Sequence, residues 1–366
     1  MIERLVRHFE QQYATDLRSL AFARIAYCIY VLVFQFPLAG KVVGMPQDAF
    51  RPPPGLPSQF PGVPGPASVA ALNAIILILL AMVLVGCRTR LASLFLGLAL
   101  IVGYSMDFTV GKINHTTTLV LIPLAMSLSA WGAHFSIDAR QYRALRTEQR
   151  QRVEVGSARA LSLLALGMAL AFFSAGAMKA FNGWLDPSTS AVLGHGLRGI
   201  YVSNREPLLF MTFYEVLPLW MWEAKDWATL ALDFGLIIAI FNRSLLRSLM
   251  SCAVFFHVGV MLLMAITFSS TLVGYACFVG WASLLCSDQT GSQPEPDRRK
   301  SGYAAALMLL LAAGITGILT GKTLSHLYSR DGTEAVLITA AALFVLGWWG
   351  RSLVQLLKLK PPAAIN

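Results

Sequence analysis

The residue whose type and position best suit chemistry is a lysine at the end of an apolar run. Lys179 follows the run FFSAGAM at 172–178 and precedes Trp184 by five positions. A lysine at such a boundary can extend its stem and keep the ammonium in water. The small residues at 174–177 also invite a neighbouring helix to pack closely, and a lysine that loses water there favours the neutral amine. A neutral amine accepts protons, so Lys179 is a candidate general base, with snorkelling as the alternative.

Two polar residues open another apolar run. Asn114 and His115 stand in the segment KINHTTT at 112–118. Polar residues at this position can simply cap a helix. They can also form one polar pocket with Lys179 if all three side chains lie on the same side of a membrane, which the topology derived below predicts. His134 ends the same run about 28 Å away, at 1.5 Å of rise per residue, so we expect His134 to be structural.

Further ionisable residues lie in or beside apolar runs, where a charge is costly and a function is a reasonable hypothesis. His257 lies in the middle of one run and is either a neutral histidine bonded to a neighbouring helix or part of a pocket. Glu215 and Asp233 could each pair with Lys179 or His257, and their spacing does not decide between these partners. The sequence contains no HExxH motif, no CxxC motif and no histidine pair four residues apart, so we expect no metal.

The composition indicates the kind of structure that must position these residues. Of the 366 residues, 56% are hydrophobic and only 13% are charged, and the mean hydropathy is +0.62. A soluble domain has about 25% charged residues, so the composition excludes both a soluble globular protein and a disordered one. The net charge of +10 does not indicate nucleic acid, because the basic residues lie in short loops between apolar runs, as the positive-inside rule predicts.

Ten apolar runs are candidate membrane spans. They lie near residues 19–39, 68–87, 91–109, 116–133, 158–178, 227–241, 246–267, 271–286, 303–320 and 335–350. We therefore expect an all-α fold, a polytopic helical bundle integral to the membrane. The distribution of lysine and arginine between alternate loops places both termini in the cytoplasm, with no cleavable signal peptide and the first run retained as an anchor. Asn114, His115 and Lys179 then lie on the outer side.

The segments between the spans predict the domain organisation. Residues 1–286 form a transmembrane core, 287–302 a cytoplasmic linker, and 303–366 a C-terminal two-helix transmembrane hairpin with a tail. Residues 1–17 and the outer loop 180–226 are amphipathic, and the loop is rich in aromatic residues. Both patterns predict helices that lie at the membrane surface. The lipid bilayer is therefore the first expected partner, and we expect it to be a bacterial inner membrane.

Three blocks of the sequence, in this order, resemble the HTTM (horizontally transferred transmembrane domain) family, which includes the vitamin K-dependent gamma-carboxylases. The first block is Asn114-His115, followed by HFSID at 134–138. The second is AGAMK at 175–179 with Trp184, and the third is Phe256-His257 at the centre of a late run. The resemblance extends from about residue 15 to residue 286, and its second block is the most specific part.

This resemblance implies a chemistry. In the gamma-carboxylases, the lysine that matches Lys179 is regarded as the base that deprotonates vitamin K hydroquinone, and the matching Asn-His pair lies at the same site. Oxygen addition then gives a strong base that removes a proton from a peptide glutamate before CO2 adds. The resemblance therefore implies a lipid quinone or hydroquinone as cofactor and Lys179, His115 and Asn114 as catalytic residues. The remaining candidates are expected to bind substrate: His257, Glu215 and Trp184.

The sequence leaves the substrate and two other functions open. Met178 stands where those enzymes carry a second lysine, and a linker and hairpin stand where the animal enzymes carry a luminal domain, so the substrate is a peptide or a small molecule. The alternative is a non-enzymatic partner or maturation factor for a secreted peptide or periplasmic protein, of the sporulation-delaying protein B type, with loop 180–226 as the contact surface. Transport would need a polar path through the bilayer, to which only His257, Asp233 and Arg24 could contribute.

Overall fold

The computed structural model describes residues 9–53, 56–110, 115–282 and 330–358, and every regular element in these ranges is a helix. In chain order the helices are α1 (Leu17–Tyr30), α2 (Pro66–Val85), α3 (Thr89–Asp107), α4 (Thr117–Met126), α5 (Ala139–Arg143), α6 (Thr147–Lys179), α7 (Ala191–Tyr201), α8 (Phe210–Val216), α9 (Leu219–Ala239), α10 (Arg243–Met264), α11 (Ser269–Ala276) and α12 (Arg330–Lys358). A wide π-helical turn extends α1 over Val31–Gln35, and another extends α6 over Ala180–Trp184. The predicted all-α class is confirmed.

Six helical segments within the described ranges are long and apolar enough to cross a membrane. They are Leu17–Val42, Pro66–Val85, Thr89–Asp107, Thr147–Trp184, Arg243–Met264 and Gly332–Trp349. These segments are compatible with an integral membrane protein, as the composition indicates.

The predicted number of about ten spans is not reached among the described residues. The predicted span 116–133 contains a helix of only ten residues, because α4 ends at Met126 and turns follow. The span 271–286 contains the eight-residue α11, and the span 227–241 is part of α9, which is not among the six. The span 303–320 and the whole linker 287–302 lie outside the described residues, as do residues 1–8 of the predicted N-terminal surface helix.

The helix ends follow from local sequence. Asp16 accepts hydrogen bonds from the backbone N–H groups of Arg18 and Ser19 and so caps α1. Helix α2 begins with Pro66, where no backbone donor is needed, and ends at Gly86, whose φ of +71° is favourable only for glycine. Asn242 caps α10 through its side-chain oxygen, which accepts hydrogen bonds from the backbone N–H groups of Ser244 and Leu245.

The chain divides into two compact units. Unit 1 comprises Met1–Ala177, Asp233–Arg247 and Val273–Gln293, and unit 2 comprises Met178–Leu232, Ser248–Leu272 and Pro294–Asn366.

In unit 1, helices α1 to α4 pack on one another in chain order. Two long-range hydrogen bonds fix the core: the Tyr27 hydroxyl donates to the backbone oxygen of Leu119 at 2.8 Å, and the Trp131 indole donates to Ser93 Oγ at 3.1 Å. Both aromatic side chains are fully buried. Burying each polar tip with a partner avoids the cost of an unpaired donor, so the bulky rings can contribute their full apolar area.

The segment HFSID at 134–138, also in unit 1, holds the turn between α2 and α3. The Asp138 carboxylate accepts from the backbone N–H groups of Arg88 and Thr89, at 3.0 and 2.7 Å, and from the Thr89 hydroxyl at 2.5 Å. The backbone N–H of Asp138 in turn donates to the carbonyl oxygen of Gly86 at 2.9 Å. Asp138 therefore caps the N-terminus of α3. These contacts agree with a structural role for the block that contains His134.

In unit 2, helix α7 packs closely on the start of α8. A Cβ atom on Gly196 would lie 1.8 Å from the Phe210 ring, so only glycine allows this approach. Phe210 is fully buried and lies 5.5 Å from Trp222 of α9, ring centre to ring centre. The backbone N–H of Leu209 donates to the carbonyl oxygen of Leu262 at 3.0 Å, which attaches the start of α8 to the end of α10.

Candidate functional site: two lysine–tryptophan pairs

The first pair lies at the end of α6. The Nζ atom of Lys179 lies 5.3 Å from the centre of the Trp184 ring. The wide turn Ala180–Trp184 brings these two residues together, because Gly183 adopts a φ of +87° and folds the chain back. Trp184 is buried at 8% exposure, whereas its neighbours Met178 and Phe181 are 61% and 88% exposed. The pair therefore places the Lys179 nitrogen over an aromatic face that attracts positive charge, beside exposed apolar side chains.

Helix α7 contributes a further ring, that of His195, to the first pair. The ring of His195 lies 5.6 Å from the Trp184 ring, measured between centres. The start of α7 is held by Asp226 of α9, whose carboxylate accepts from the backbone N–H groups of Ala191 and Val192 at 2.6 and 2.7 Å. Asp226 is fully buried. Burial raises the pKa of this carboxyl, against the opposing effect of its two backbone donors, and the nearby Glu223 charge raises it further.

The second pair lies in the first half of α9. The Nζ atom of Lys225 lies 3.7 Å from the centre of the Trp222 ring and 5.4 Å from the centre of the Phe213 ring. Trp222 is 1% exposed and is a core residue of unit 2. Burial lowers the pKa of the Lys225 ammonium, because removal from water disfavours the charged form. We call Lys225, Trp222 and Phe213 the Lys225 box.

A separate polar cluster surrounds the break between α10 and α11. His257 is 1% exposed, stacks on Phe268 at 4.9 Å between ring centres, and lies 3.4 Å from the Thr271 hydroxyl through Nε2. Glu334 of α12 accepts hydrogen bonds from the hydroxyl groups of Thr267 and Ser269, at 2.6 and 2.9 Å. These contacts match the interpretation of His257 as a buried histidine bonded to a neighbouring segment.

The structure places the predicted site residues in different surroundings. Lys179 and Trp184 meet, as described above. His257 is buried in the polar cluster of unit 2, and Glu215 is exposed on α8. His115 is half-buried in unit 1, in the turn that begins α4, where its carbonyl oxygen accepts from the backbone N–H of Thr118. Asn114 lies outside the described residues, so the predicted pocket of Asn114, His115 and Lys179 stays a prediction.

The small residues before Lys179 behave partly as the sequence predicts. Gly176 is buried, and a Cβ atom there would lie 2.8 Å from the Cβ atom of Asp233. The ring of Phe173, one turn before Gly176, lies 5.4 Å from the ring of Phe234, the residue that follows Asp233. Close packing of α6 against the C-terminal half of α9 in unit 1 therefore takes place at Gly176. Asp233 itself is 3% exposed.

Four residues in or beside these pairs were not recognised as site candidates from the sequence: Trp222, Lys225, Asp226 and His195. Trp222 and Lys225 are three residues apart on one helix, a spacing that brings side chains together, so their pairing could have been predicted. The contact of Asp226 with α7 joins positions 34 and 35 residues apart, and no local pattern signals it.

The residues of the first pair fit a lipid hydroquinone in chemical type. A ring-bearing ligand finds an amine, an indole face and apolar surface at Lys179, Trp184, Met178 and Phe181. No group of three or more His, Cys, Asp or Glu side chains that could hold a metal ion occurs in the described ranges.

Comparison with known proteins adds no relative: no family model matches the chain, and neither a curated protein nor a solved structure matches it significantly.

Proposed function

We propose that this chain is an integral membrane enzyme of the HTTM type, related to the vitamin K-dependent gamma-carboxylases, in which Lys179 is the base that acts on a lipid hydroquinone. The observation that supports the proposal is the first lysine–tryptophan pair, with Nζ of Lys179 5.3 Å from the ring centre of Trp184. The tryptophan belongs to the sequence block that carries the family resemblance most specifically, so the pairing gives that block a physical meaning.

In this proposal each residue of the site has a separate role. A bound lipid hydroquinone would supply an acidic hydroxyl group, and Lys179 is the residue that would accept its proton. The ammonium that forms remains over the Trp184 ring, whose negative face stabilises positive charge. Met178 and Phe181, both exposed, provide apolar surface for the ligand. Asn114, His115, His257 and Glu215 remain candidates for positioning the reactants on the strength of the sequence alone.

The proposal includes the predicted membrane arrangement. Both termini lie in the cytoplasm of a bacterium, about ten spans cross the inner membrane, and Lys179 faces outward. Helices α7 and α8 then lie at the outward-facing surface of the inner membrane. Their exposed apolar residues support this placement: Tyr201, Val202, Met211, Tyr214 and Val216 are 42–73% exposed. A surface helix with such residues gains stability from contact with lipid.

The test compares two substitutions of Lys179 with a matched control. Full-length protein in nanodiscs receives vitamin K hydroquinone, and oxygen uptake is measured. Lys179→Met removes the base and Lys179→Arg keeps the charge but cannot accept a proton at neutral pH, so both are expected to reduce the rate by about 10²- to 10⁴-fold. Lys41→Met, at an exposed lysine, is expected to leave the rate unchanged.

Two results would contradict the assignment of the base. Full activity in Lys179→Arg would show that the charge alone is needed, as expected for a lysine that only snorkels. Loss of thermal stability in parallel with activity in both variants would indicate a structural role. Absence of oxygen uptake by the unmodified protein would reject the hydroquinone.

A second function, as a partner of a secreted peptide, is favoured by a different observation. The elbow between α8 and α9 exposes Val216, Leu219 and Trp220 at 73%, 67% and 68%, and such a patch can bind a peptide. Mass spectrometry of a secreted peptide encoded beside this chain, with and without the protein, separates the two functions. A mass change that depends on Lys179 supports the enzyme, whereas unchanged mass with altered export supports the partner.

A further inference from the structure

The ammonium of Lys225 is buried without any hydrogen-bond acceptor in the described part of the chain. Its Nζ atom is shielded from solvent and contacts the faces of Trp222 and Phe213. The residue as a whole is only half-buried, so its exposed surface belongs to the stem. This orientation is the reverse of snorkelling, in which the stem is covered and the charge reaches water.

Contact with two aromatic faces does not give the Lys225 ammonium the hydrogen-bond acceptors that it needs. A ring attracts the positive charge, but it offers no lone pair in the plane of the three N–H donors. An unpaired donor that is buried costs free energy, more so when it is charged, and such a group calls for an explanation such as a water or an ion. The same removal from water lowers the pKa of the Lys225 ammonium.

The acidic residues nearest in sequence do not supply the acceptor. Asp226 directs its carboxylate to the backbone of Ala191 and Val192. Glu223 accepts from the Trp227 indole at 2.7 Å through Oε1, and its Oε2 atom is buried without a hydrogen-bond partner. The helix therefore carries two carboxylates beside Lys225, and neither forms a hydrogen bond with its ammonium.

Exposed apolar residues lie close in sequence to the Lys225 box. Tyr214, Val216, Leu219 and Trp220 lie on the elbow between α8 and α9, and their exposed fractions are 46%, 73%, 67% and 68%. Tyr214 directly follows Phe213 of the box, and Leu219 and Trp220 begin the helix that carries Trp222, so a ligand at the box has exposed apolar side chains on both adjoining segments. An amphiphile has both properties, because its anionic group accepts hydrogen bonds and its chain covers apolar surface.

We propose that the Lys225 box is a binding site for the anionic group, a phosphate or a carboxylate, of an amphiphile whose apolar chain lies on the α8–α9 elbow. The anion accepts hydrogen bonds from the Lys225 ammonium, while the faces of Trp222 and Phe213 contact the same ammonium and exclude water from it. This site is distinct from the Lys179 pair and does not depend on the function proposed for that pair.

The binding test uses the full-length protein in a neutral detergent. The probes are oleate for a carboxylate, phosphatidylglycerol for an anionic phosphate, inorganic phosphate for an anion without a chain, and phosphatidylcholine for a headgroup with no net charge. Oleate, phosphatidylglycerol or both are expected to bind, and native mass spectrometry identifies which anion the site prefers. Lys225→Met is expected to weaken that binding by about tenfold to a hundredfold, the range for hydrogen bonds to a charged group.

The control and the contrary outcomes are defined by the same measurement. Lys41→Met removes an exposed lysine and is expected to bind as the unmodified protein does. Equal binding by unmodified protein and Lys225→Met would overturn the site. Inorganic phosphate or phosphatidylcholine bound as tightly as the anionic lipids would overturn the assignment to an anionic amphiphile.

A measurement on the unmodified protein keeps the proposal testable if Lys225→Met fails to fold. Lysine labelled with ¹³C at the ε position gives an NMR signal for Lys225, assigned by its absence in Lys225→Arg. Addition of the preferred amphiphile is expected to shift this signal and to raise the pH at which it titrates, because an anion stabilises the ammonium. A signal that the amphiphile does not change would mean that water alone satisfies the ammonium, and the proposal would be wrong.

Discussion

Arg24 of α1 donates a hydrogen bond from Nη2 to the backbone oxygen of Phe135 at 2.6 Å, across more than one hundred residues of sequence. The arginine is fully buried, and its Nη2 also lies 3.3 Å from the carbonyl oxygen of His134. Phe135 adopts a φ of +51°, a conformation that costs free energy for a non-glycine residue and needs support from its neighbours. A buried charge in the first helix therefore holds the HFSID segment in place.

The first prediction concerns Gly86, whose backbone packs against the guanidinium of Arg24. A Cβ atom at this position would lie 2.1 Å from Nη1 of Arg24 and 2.1 Å from Cβ of Ser136, and the φ of +71° disfavours any side chain. We expect Gly86→Ala to destabilise the protein by about 2–4 kcal/mol, from the backbone conformation and overpacking together. Thermal unfolding in detergent measures the change. Gly65→Ala is the matched control, since no atom lies within 4 Å of that Cβ; equal stability of the two variants would disprove the close packing.

The second prediction concerns the cap that Asp138 provides for α3. Asp138→Ala removes the acceptor for two backbone donors and one hydroxyl, so we expect a loss of about 1–2 kcal/mol. Asp138→Asn retains one acceptor oxygen and is expected to lose less. Asp48→Ala, at an exposed aspartate in a short turn, serves as control. If Asp138→Ala unfolds at the same temperature as this control, the cap does not contribute to stability.

The sequence predicts the helical class well because a single signal, sustained apolar character, decides it. The same signal fails for the predicted spans 116–133 and 271–286, where apolar residues continue after the helix has ended. At 126–138 the chain instead forms turns whose backbone groups are satisfied by two serine hydroxyls. Ser129 donates to the carbonyl oxygen of Met126 and accepts from the backbone N–H of Trp131, and Ser157 accepts from the backbone N–H of Ala130. Apolar composition therefore measures burial, in protein or in lipid, and does not by itself measure helix length.

Local sequence also predicts only part of the candidate site. The pairing of Lys179 with Trp184 depends on six consecutive residues, 179–184, which include Gly183, so the sequence block that contains both residues points to it. The support from His195 and Asp226 depends on how α7 packs on α9, which results from long-range contacts that no spacing rule encodes.

The third prediction concerns Glu334, which attaches α12 to the segment between α10 and α11. Its carboxylate accepts from Thr267 and Ser269, and the adjacent Ala335 and Ile338 pack in one apolar cluster with Met261. Glu334→Ala leaves two buried hydroxyl groups without this acceptor, which costs about 1–3 kcal/mol. We expect faster hydrogen exchange in the peptide 332–345, measured by mass spectrometry. Glu206→Ala, at an exposed position, is expected to leave that exchange unchanged; equal exchange in both variants would contradict the attachment.

The last prediction concerns the pH dependence that Asp226 gives to the stability of α7. Because burial raises the pKa of this carboxyl in the folded protein, the folded state retains the proton more readily than the unfolded state. The contribution of Asp226 to stability is therefore largest below the ordinary pKa of an aspartate and falls as pH rises through the raised folded value. Asp226→Asn carries no titrating group at this position and is expected to remove this decrease.

Asp186 supplies a control of opposite sign. The hydroxyl and backbone N–H of Ser188 lower the pKa of the Asp186 carboxyl, so its contribution is present above the ordinary pKa and is lost as pH falls. Unfolding temperatures measured from pH 3 to pH 8 should therefore diverge in opposite directions for Asp226→Asn and Asp186→Asn relative to the unmodified protein. Because α7 carries His195 against Trp184, Asp226→Asn should also alter the fluorescence of Trp184, whose contribution is identified with Trp184→Phe. An unchanged Trp184 signal would show that Asp226 holds α7 without influencing the first lysine–tryptophan pair.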